Sequence, residues 1–131
     1  MKPVKVLLVD DEEEFVSALA ERLGLRGIEA RSASEGGKAI ELVKAELPDV
    51  AVGDLMMPGV SGMEVLDFLK THYPRVGVIL LTGLGSLQAA MEGMKRGAFD
   101  YLVKPVNIDE LVEKIRVAAG TGEEADRNRT G

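Results

Sequence analysis

The sequence lacks residue types on which several common kinds of site depend. Among its 131 residues there is no cysteine, no tryptophan and a single histidine, His72. Without cysteine, neither a disulfide, a thiol nucleophile nor a thiolate metal site can form within the chain. His72 stands between polar neighbours near the end of a predicted helix, where a cation is favoured by the helix dipole. We therefore expect it on the surface and not in a catalytic site.

Basic residues are fewer than acidic ones, and long apolar runs are missing from the sequence. Twenty-two acidic residues against 16 basic ones give a formal net charge of −6, which argues against a nucleic-acid surface in this chain. The longest uncharged stretch, residues 76–91, contains interior glycines and is shorter than the roughly 20 apolar residues of a membrane helix. The start of the chain shows no signal-peptide pattern. We expect a cytoplasmic protein that contacts neither nucleic acid nor membrane through this chain.

Short apolar runs alternate with stretches of helical spacing. The runs occupy residues 4–9, 28–31, 50–53, 76–81 and 99–103. Such runs, rich in β-branched residues, are typical of buried strands of a parallel sheet. Strands that alternate with helices imply right-handed crossovers, with helices on both faces of the sheet. The sequence therefore predicts an α/β, doubly wound fold of five βα units.

Apolar residues at helical spacing follow each predicted strand. The fourth such stripe contains Leu87, Met91 and Met94, and we expect every stripe to pack in the core. Residues 120–131 contain no large apolar residue. The chain is long enough for one domain with a buried core. We place this domain at residues 1–119 and interpret residues 120–131 as a flexible polar tail or the start of a linker.

Five polar residues directly follow four of the predicted strands. Asp10 and Asp11 follow the first, Asp54 the third, Thr82 the fourth and Lys104 the fifth. Ligands of open α/β sheets bind outside the carboxyl ends of the strands. Three carboxylates, one hydroxyl and one ammonium are therefore expected to converge at one edge of the sheet.

These groups suit a divalent cation and a transferable phosphoryl group. Neighbouring carboxylates in a partly buried site repel one another unless a pKa rises or a cation lies between them. Oxygen ligands without histidine or cysteine suit Mg²⁺. A carboxylate can act as the nucleophile in phosphoryl transfer, which depends mainly on positioning and charge neutralisation. The acids at residues 12–14 are explained by the preference of carboxylates for a helix start.

The motifs at these positions resemble the receiver domains of two-component response regulators. The matching strings are Leu-Leu-Val-Asp-Asp at 7–11, Asp-Leu-Met-Met-Pro-Gly at 54–59, Leu-Thr-Gly at 81–83 and Gly-Ala-Phe-Asp-Tyr-Leu-Val-Lys-Pro at 97–105. The resemblance covers about residues 3–119. It implies a flavodoxin-like, five-stranded parallel sheet of order 2-1-3-4-5. Gly53, directly before the acidic residue of the second string, is smaller than the family's usual residue.

The resemblance also implies a role for each acidic residue. Asp54 would accept a phosphoryl group from a phosphohistidine of a sensor histidine kinase. Asp11, Asp54 and the backbone carbonyl of Met56 would bind Mg²⁺ directly, and Asp10 would hold it through a water molecule.

The remaining motif residues would respond to the phosphoryl group. Thr82 and Lys104 would bind its oxygens, and Tyr101 matches a switch residue whose ring turns inward when Thr82 moves. The bond between Lys104 and Pro105 would be cis, which proline permits. The face formed by the fourth helix, fifth strand and fifth helix would bind a downstream target or a second copy of the chain.

Two alternatives remain from other functional classes. One is a Mg²⁺-dependent phosphatase with an aspartyl nucleophile on the first strand and a second acid two residues later. Asp10 followed by Glu12 matches this pattern poorly, and Asp54 would then have no role. The other is an interaction module with an unused site, against which the five intact site residues argue.

Overall fold

The computed structural model describes residues 2–54 and 61–130, including their side chains except those of Leu84 and residues 121–130. Within these residues five strands alternate with five α-helices. The strands are β1 (Lys5–Val9), β2 (Glu29–Ala33), β3 (Val50–Asp54), β4 (Gly77–Thr82) and β5 (Asp100–Val103). The helices are α1 (Glu13–Gly24), α2 (Gly36–Ala45), α3 (Gly62–His72), α4 (Leu87–Lys95) and α5 (Ile108–Thr130), with a 3-10 turn at Leu84–Ser86.

The strands form one parallel sheet in the order β2-β1-β3-β4-β5. Alternate residues of β1 belong to two different apolar clusters, because successive side chains of a strand point to opposite faces. Leu7 and Val9 pack with residues of α2, α3 and α4, whereas Val6 and Leu8 pack with residues of α1 and α5. Helices therefore cover both faces, and the predicted doubly wound, flavodoxin-like fold is confirmed.

Helix α3 begins after Ser61, its N-cap residue. The Ser61 side chain accepts a hydrogen bond from the Glu64 backbone N–H at 3.2 Å, which satisfies one of the unpaired donors at the helix start. Before α5, the Asn107 side chain accepts from the Glu110 N–H at 3.0 Å. These local bonds fix where the helices on either side of the site begin.

Helix α4 differs from its prediction. Leu87 and Met91 are 40% and 51% exposed, so the expectation that they pack in the core is wrong. The buried positions of α4 are instead Ala90 and Gly93. A Cβ at Gly93 would overlap the Leu80 side chain, which shows that α4 lies close against β4 through its smallest residues. This close approach turns the larger apolar side chains outward.

The last helix extends into the polar segment that follows residue 119. Helix α5 continues through Gly120 to Thr130, over residues that the sequence assigns to a flexible polar tail or the start of a linker. Glutamate, alanine and arginine have favourable helix propensities, and several of them follow Gly120. The division of the chain at residue 119 stays a prediction. Within the described part of the chain, no helix is both long and apolar enough to cross a membrane.

Two strand glycines should respond in opposite ways to a methyl group. A Cβ at Gly77 would lie 2.9 Å from the Ala118 Cβ of α5, whereas a Cβ at Gly53 would meet Val9 at an ordinary 3.6 Å. We predict that Gly77→Ala lowers the free energy of unfolding by about 1–3 kcal/mol through overpacking. Gly53→Ala should raise it by about 0.4–1 kcal/mol by restricting the unfolded chain. Urea denaturation followed by circular dichroism compares the two, and equal effects would contradict the prediction.

Candidate functional site

The site is assembled by the carboxyl ends of four neighbouring strands. Asp10 directly follows β1, Asp54 ends β3, Thr82 ends β4 and Lys104 directly follows β5. Because the strands are parallel and in register, their ends meet at one edge of the sheet. The convergence predicted from the sequence is therefore observed for these four residues.

Three of these side chains are buried in spite of their polarity. Asp10, Asp54 and Thr82 are 3%, 8% and 1% exposed, respectively. Removing a carboxylate from water is costly unless it is paired and hydrogen-bonded. Each buried acid must therefore have a partner, and Lys104 provides one for both.

The Lys104 ammonium lies among three carboxylates. Its Nζ is 2.9 Å from Asp10 Oδ2, 3.3 Å from Asp54 Oδ2 and 3.3 Å from Glu12 Oε1. Burial alone would lower the pKa of Lys104, but the hydrogen bond and charge of Asp10, the charge of Asp54 and the hydrogen bond of Glu12 outweigh it. The pKa of Lys104 is raised above its usual value, so Lys104 is a fixed cation at neutral pH.

Asp10 is held rigidly at the centre of this arrangement. Its Oδ1 accepts a hydrogen bond from the Glu12 backbone N–H at 2.9 Å, while its Oδ2 accepts from Lys104. Its own N–H donates to the Ala33 carbonyl at 3.1 Å. Both oxygens therefore have fixed directions, which suits a group that orients others.

Thr82 lies at the same edge of the sheet, but its hydroxyl donates to a backbone carbonyl and not to a carboxylate of this group. Its hydroxyl donates to the Gly83 carbonyl at 3.1 Å, and its carbonyl accepts from the Lys104 N–H at 2.8 Å. The latter bond ties the end of β4 to the residue that carries the ammonium. This hydroxyl can turn to a stronger acceptor, because it rotates about one bond.

Of the other residues predicted for the site, the structure describes Asp11 and Tyr101. Asp11 is exposed and does not belong to the compact carboxylate group formed by described residues. Met56 lies outside the described residues. Tyr101 is half-buried on β5 and packs against the cluster beneath α2, α3 and α4. The peptide bond between Lys104 and Pro105 is cis, as the resemblance implies.

Two residues contact the site that sequence reasoning assigned elsewhere. From the sequence alone, the helix start accounts for Glu12, yet its carboxylate contacts Lys104. Phe15 belongs to the apolar stripe of α1, yet the Lys104 Nζ lies 4.7 Å from the centre of its ring. An ammonium at this distance over an aromatic face is attracted by the ring's electrons. No signal in the sequence distinguishes these two from ordinary residues of an acidic helix start and a core stripe.

The carboxylates form a group that could hold a metal ion. One oxygen from each of Asp10, Glu12 and Asp54 lies within 4.8 Å of the others. All the donors of this group are hard oxygen atoms, which fits Mg²⁺ or Ca²⁺ better than a transition metal. This group of described residues could hold a metal ion, and it contains Asp10 and Asp54 of the predicted metal-binding residues.

Comparisons with known proteins identify the family to which the chain is similar. The family model of the response regulator receiver domain matches residues 6–116. The regulatory protein AtoC of Escherichia coli (strain K12) is 36% identical over 107 residues, which are 82% of this chain and 23% of that protein. The probable transcriptional regulatory protein TcrX of Mycobacterium tuberculosis is 36% identical over 115 residues, 88% of this chain and 49% of its own length.

Solved structures show the same similarity. A response regulator receiver domain protein from Clostridium thermocellum has a TM-score of 0.88 at 34% identity, covering 93% of this chain and 98% of that one. The receiver domain of NtrX from Brucella abortus has a TM-score of 0.84 at 29% identity, covering 88% and 98%. The chain spans less than half the length of the two curated relatives named here. The match over nearly the whole described fold shows that the chain belongs to the response regulator receiver domain family of two-component signalling proteins.

Proposed function

We propose that Asp54 is the phosphoacceptor of this receiver domain and that its donor is a phosphohistidine of a sensor histidine kinase. The observation that carries this assignment is the position of its carboxylate. It is buried at the end of β3, 3.3 Å from a lysine ammonium, and it belongs to a group of carboxylates suited to a cation. A nucleophilic carboxylate needs this environment, because the incoming phosphoryl group is strongly negative.

In the proposed transfer, an oxygen of Asp54 attacks phosphorus while the bond from phosphorus to the donor's imidazole nitrogen breaks. The electron pair of that bond remains on the imidazole. Lys104 is already protonated and donates a hydrogen bond to one phosphoryl oxygen. The Thr82 hydroxyl turns away from the Gly83 carbonyl and donates to another phosphoryl oxygen. Fixed donors that are aligned before the reaction cost little reorganisation when charge develops.

The metal of this site would be Mg²⁺. When bound, it would neutralise charge on the phosphoryl oxygens. Asp10 and Asp54 are the buried acids suited to hold it, and Glu12 is the exposed third member of their group. By resemblance, Asp11 and the Met56 carbonyl would contribute as well. We propose that the domain catalyses both its own phosphorylation and its own dephosphorylation with this metal.

The proposed output surface is formed by α4, β5 and α5. It carries apolar side chains that the fold leaves in contact with water: Leu87 and Met91 on α4 and Val117 on α5, which are 40%, 51% and 53% exposed. Exposed apolar side chains on these elements are available for contact with another protein. A downstream target or a second copy of the chain would bind here, and we place these events in the cytoplasm on the strength of the family.

The direct test is phosphorylation by acetyl phosphate with Mg²⁺. We expect one phosphoryl group per chain, mapped to Asp54 by mass spectrometry after reduction of the acyl phosphate with borohydride. Omission of Mg²⁺ serves as the control and should prevent labelling. A phosphoryl group on any other residue would contradict the assignment.

The switch can be observed separately. With Mg²⁺ and beryllofluoride, a phosphoryl mimic, we expect the backbone resonances of Thr82, Tyr101 and the residues between them to shift, as the population moves toward a second state. Residues of β2, at the far edge of the sheet, supply the internal control. If the backbone resonances of residues 82–105 do not shift, Tyr101 does not respond to a phosphoryl group on Asp54.

The two alternative functions are not favoured. A phosphatase would use Asp10 as the nucleophile, but both oxygens of Asp10 are already bound, one by the Glu12 N–H and one by Lys104. An interaction module with an unused site would not require a buried acid and a shared ammonium at the same sheet edge.

A further inference from the structure

Glu12 has a place in the site that the helix dipole does not explain. It is the N-cap residue of α1, yet its side chain makes no capping hydrogen bond. Its Oε1 instead accepts from the Lys104 Nζ at 3.3 Å. The N-cap position normally satisfies a backbone donor of the first turn. The Glu12 carboxylate is therefore directed to the ammonium and away from the helix that it precedes.

The three carboxylates approach Lys104 from different sides. The side chains of Asp10 and Asp54 are 2% and 12% exposed, whereas that of Glu12 is 64% exposed. Asp10 and Asp54 thus hold the ammonium from within, and Glu12 holds it from the solvent side. Three carboxylates against one ammonium leave this group with a formal charge of −2.

We propose that Glu12 is a positioning residue for Lys104 and that it weakens the capture of small, free, anionic phosphodonors. This role presupposes the phosphoacceptor function of Asp54. A small donor must bring its negative oxygens past the exposed carboxylate of Glu12 and must take the Lys104 ammonium from it. It has only its own few contacts with which to offset this cost.

A donor presented by a protein is in a different situation. Contacts far from the reacting atoms can supply the binding energy that displaces Glu12 from Lys104. Glu12 therefore opposes small donors such as acetyl phosphate more than it opposes a phosphohistidine on a docked partner. The effect falls mainly on capture, because the Glu12 carboxylate contacts the Lys104 ammonium that a donor must take over.

The test uses Glu12→Gln, which keeps the shape of the side chain and removes its charge. The control is Glu13→Gln, which makes the same charge change at the next residue, in the first turn of α1. Each protein is assayed with acetyl phosphate at a Mg²⁺ concentration that saturates that protein. We expect Glu12→Gln to lower the apparent KM two- to five-fold, about the range of an exposed ion pair, and to change KM more than the maximal rate. Glu13→Gln should keep the wild-type KM.

A second measurement follows Lys104 without metal or donor. In ¹³C and ¹⁵N spectra of the lysine side chains, Glu12→Gln should shift the Cε and Nζ resonances of Lys104, and Glu13→Gln should leave them in place. If Glu12 served only to start α1, the substitution would change the backbone spectrum of α1. It would not shift the Lys104 side-chain resonances while the backbone spectrum of α1 stayed the same.

The outcomes separate the role of Glu12 from the function of Asp54. If the wild type is phosphorylated on Asp54 and the two variants have equal KM values, Glu12 does not control donor capture. If Asp54 is not phosphorylated in any of the three proteins, the phosphoacceptor function is wrong. In that case the Lys104 resonances still decide whether Glu12 holds the ammonium. If these resonances are unchanged in Glu12→Gln, the positioning role of Glu12 is wrong as well.

Discussion

Asp54→Asn should abolish phosphorylation by acetyl phosphate and Mg²⁺. Asparagine has nearly the same shape and can still accept a hydrogen bond from Lys104, which lies 3.3 Å from Asp54 Oδ2 in the wild type. Its amide is not a nucleophile toward phosphorus, so the covalent step has no starting group. We expect incorporation of phosphate, measured by intact-protein mass spectrometry, to fall at least about a thousandfold, which corresponds to roughly 4 kcal/mol in the barrier.

The matched control for this variant is Asp49→Asn. Asp49 lies just before β3, whereas Asp54 lies at the other end of the same strand. The Asp49 side chain accepts a hydrogen bond from the Lys5 backbone N–H at 2.8 Å. The same chemical change there should leave the phosphorylation rate unchanged, provided that circular dichroism shows both variants folded. Labelling of Asp54→Asn at the wild-type rate would place the acceptor elsewhere.

Lys104→Ala should have the largest effect on stability among the charged residues of the site. Asp10 and Asp54 are both buried, and the substitution removes the ammonium that contacts them at 2.9 and 3.3 Å. A buried acid left without its partner bears a desolvation penalty of about 1–3 kcal/mol or more. We expect the free energy of unfolding in urea, measured without metal, to fall by about 2–4 kcal/mol. Mg²⁺ should restore part of this loss if it binds the folded carboxylates.

Lys5→Ala is the control for this variant. Lys5 pairs with Glu46 at 3.2 Å, but both side chains are largely exposed, so the loss should be below about 1 kcal/mol. Similar losses in the two variants would show that Lys104 does not stabilise the buried acids.

The pH dependence of the Lys104 contribution has a defined sign. The pKa of Lys104 is raised in the folded state, because the attraction of Asp10, Asp54 and Glu12 exceeds the opposing effect of burial. A raised lysine pKa stabilises the fold fully below the usual value of about 10.4 and loses this effect as the pH rises through the folded pKa. The difference between wild type and Lys104→Ala should therefore stay constant from pH 7 to about 9 and shrink only in strong alkali.

The alternation of apolar runs and helical stripes was enough to predict the fold class from sequence. Strands β1 and β4 are covered by helices on both faces of the sheet. Their residues therefore form nearly unbroken apolar runs, as is usual in a parallel sheet. The same reasoning located Asp10, Asp54, Thr82 and Lys104, since each comes directly after a strand or ends one. Strand order was not available from periodicity, and the resemblance to receiver domains supplied it correctly.

The packing of α4 could not be derived from its sequence pattern. Leu87 and Met91 have the spacing of a core stripe, yet the structure buries Ala90 and Gly93 in their place. Which stripe of a helix faces inward depends on how closely the helix approaches the sheet. That distance is set by partners remote in sequence, here Leu80 of β4, and a periodic pattern contains no information about them.

The sequence by itself determined the order of the elements and the chemical groups at the ends of the strands. These depend on local preferences and on the two-residue and 3.6-residue periods of strand and helix. Only the tertiary structure decided which groups meet. Glu12 and Phe15 join Lys104 because the start of α1 and the end of β5, some 90 residues apart in the chain, meet at the same edge of the sheet. Contacts of this range arise from the packing of the whole sheet, and they decide how the shared ammonium is held.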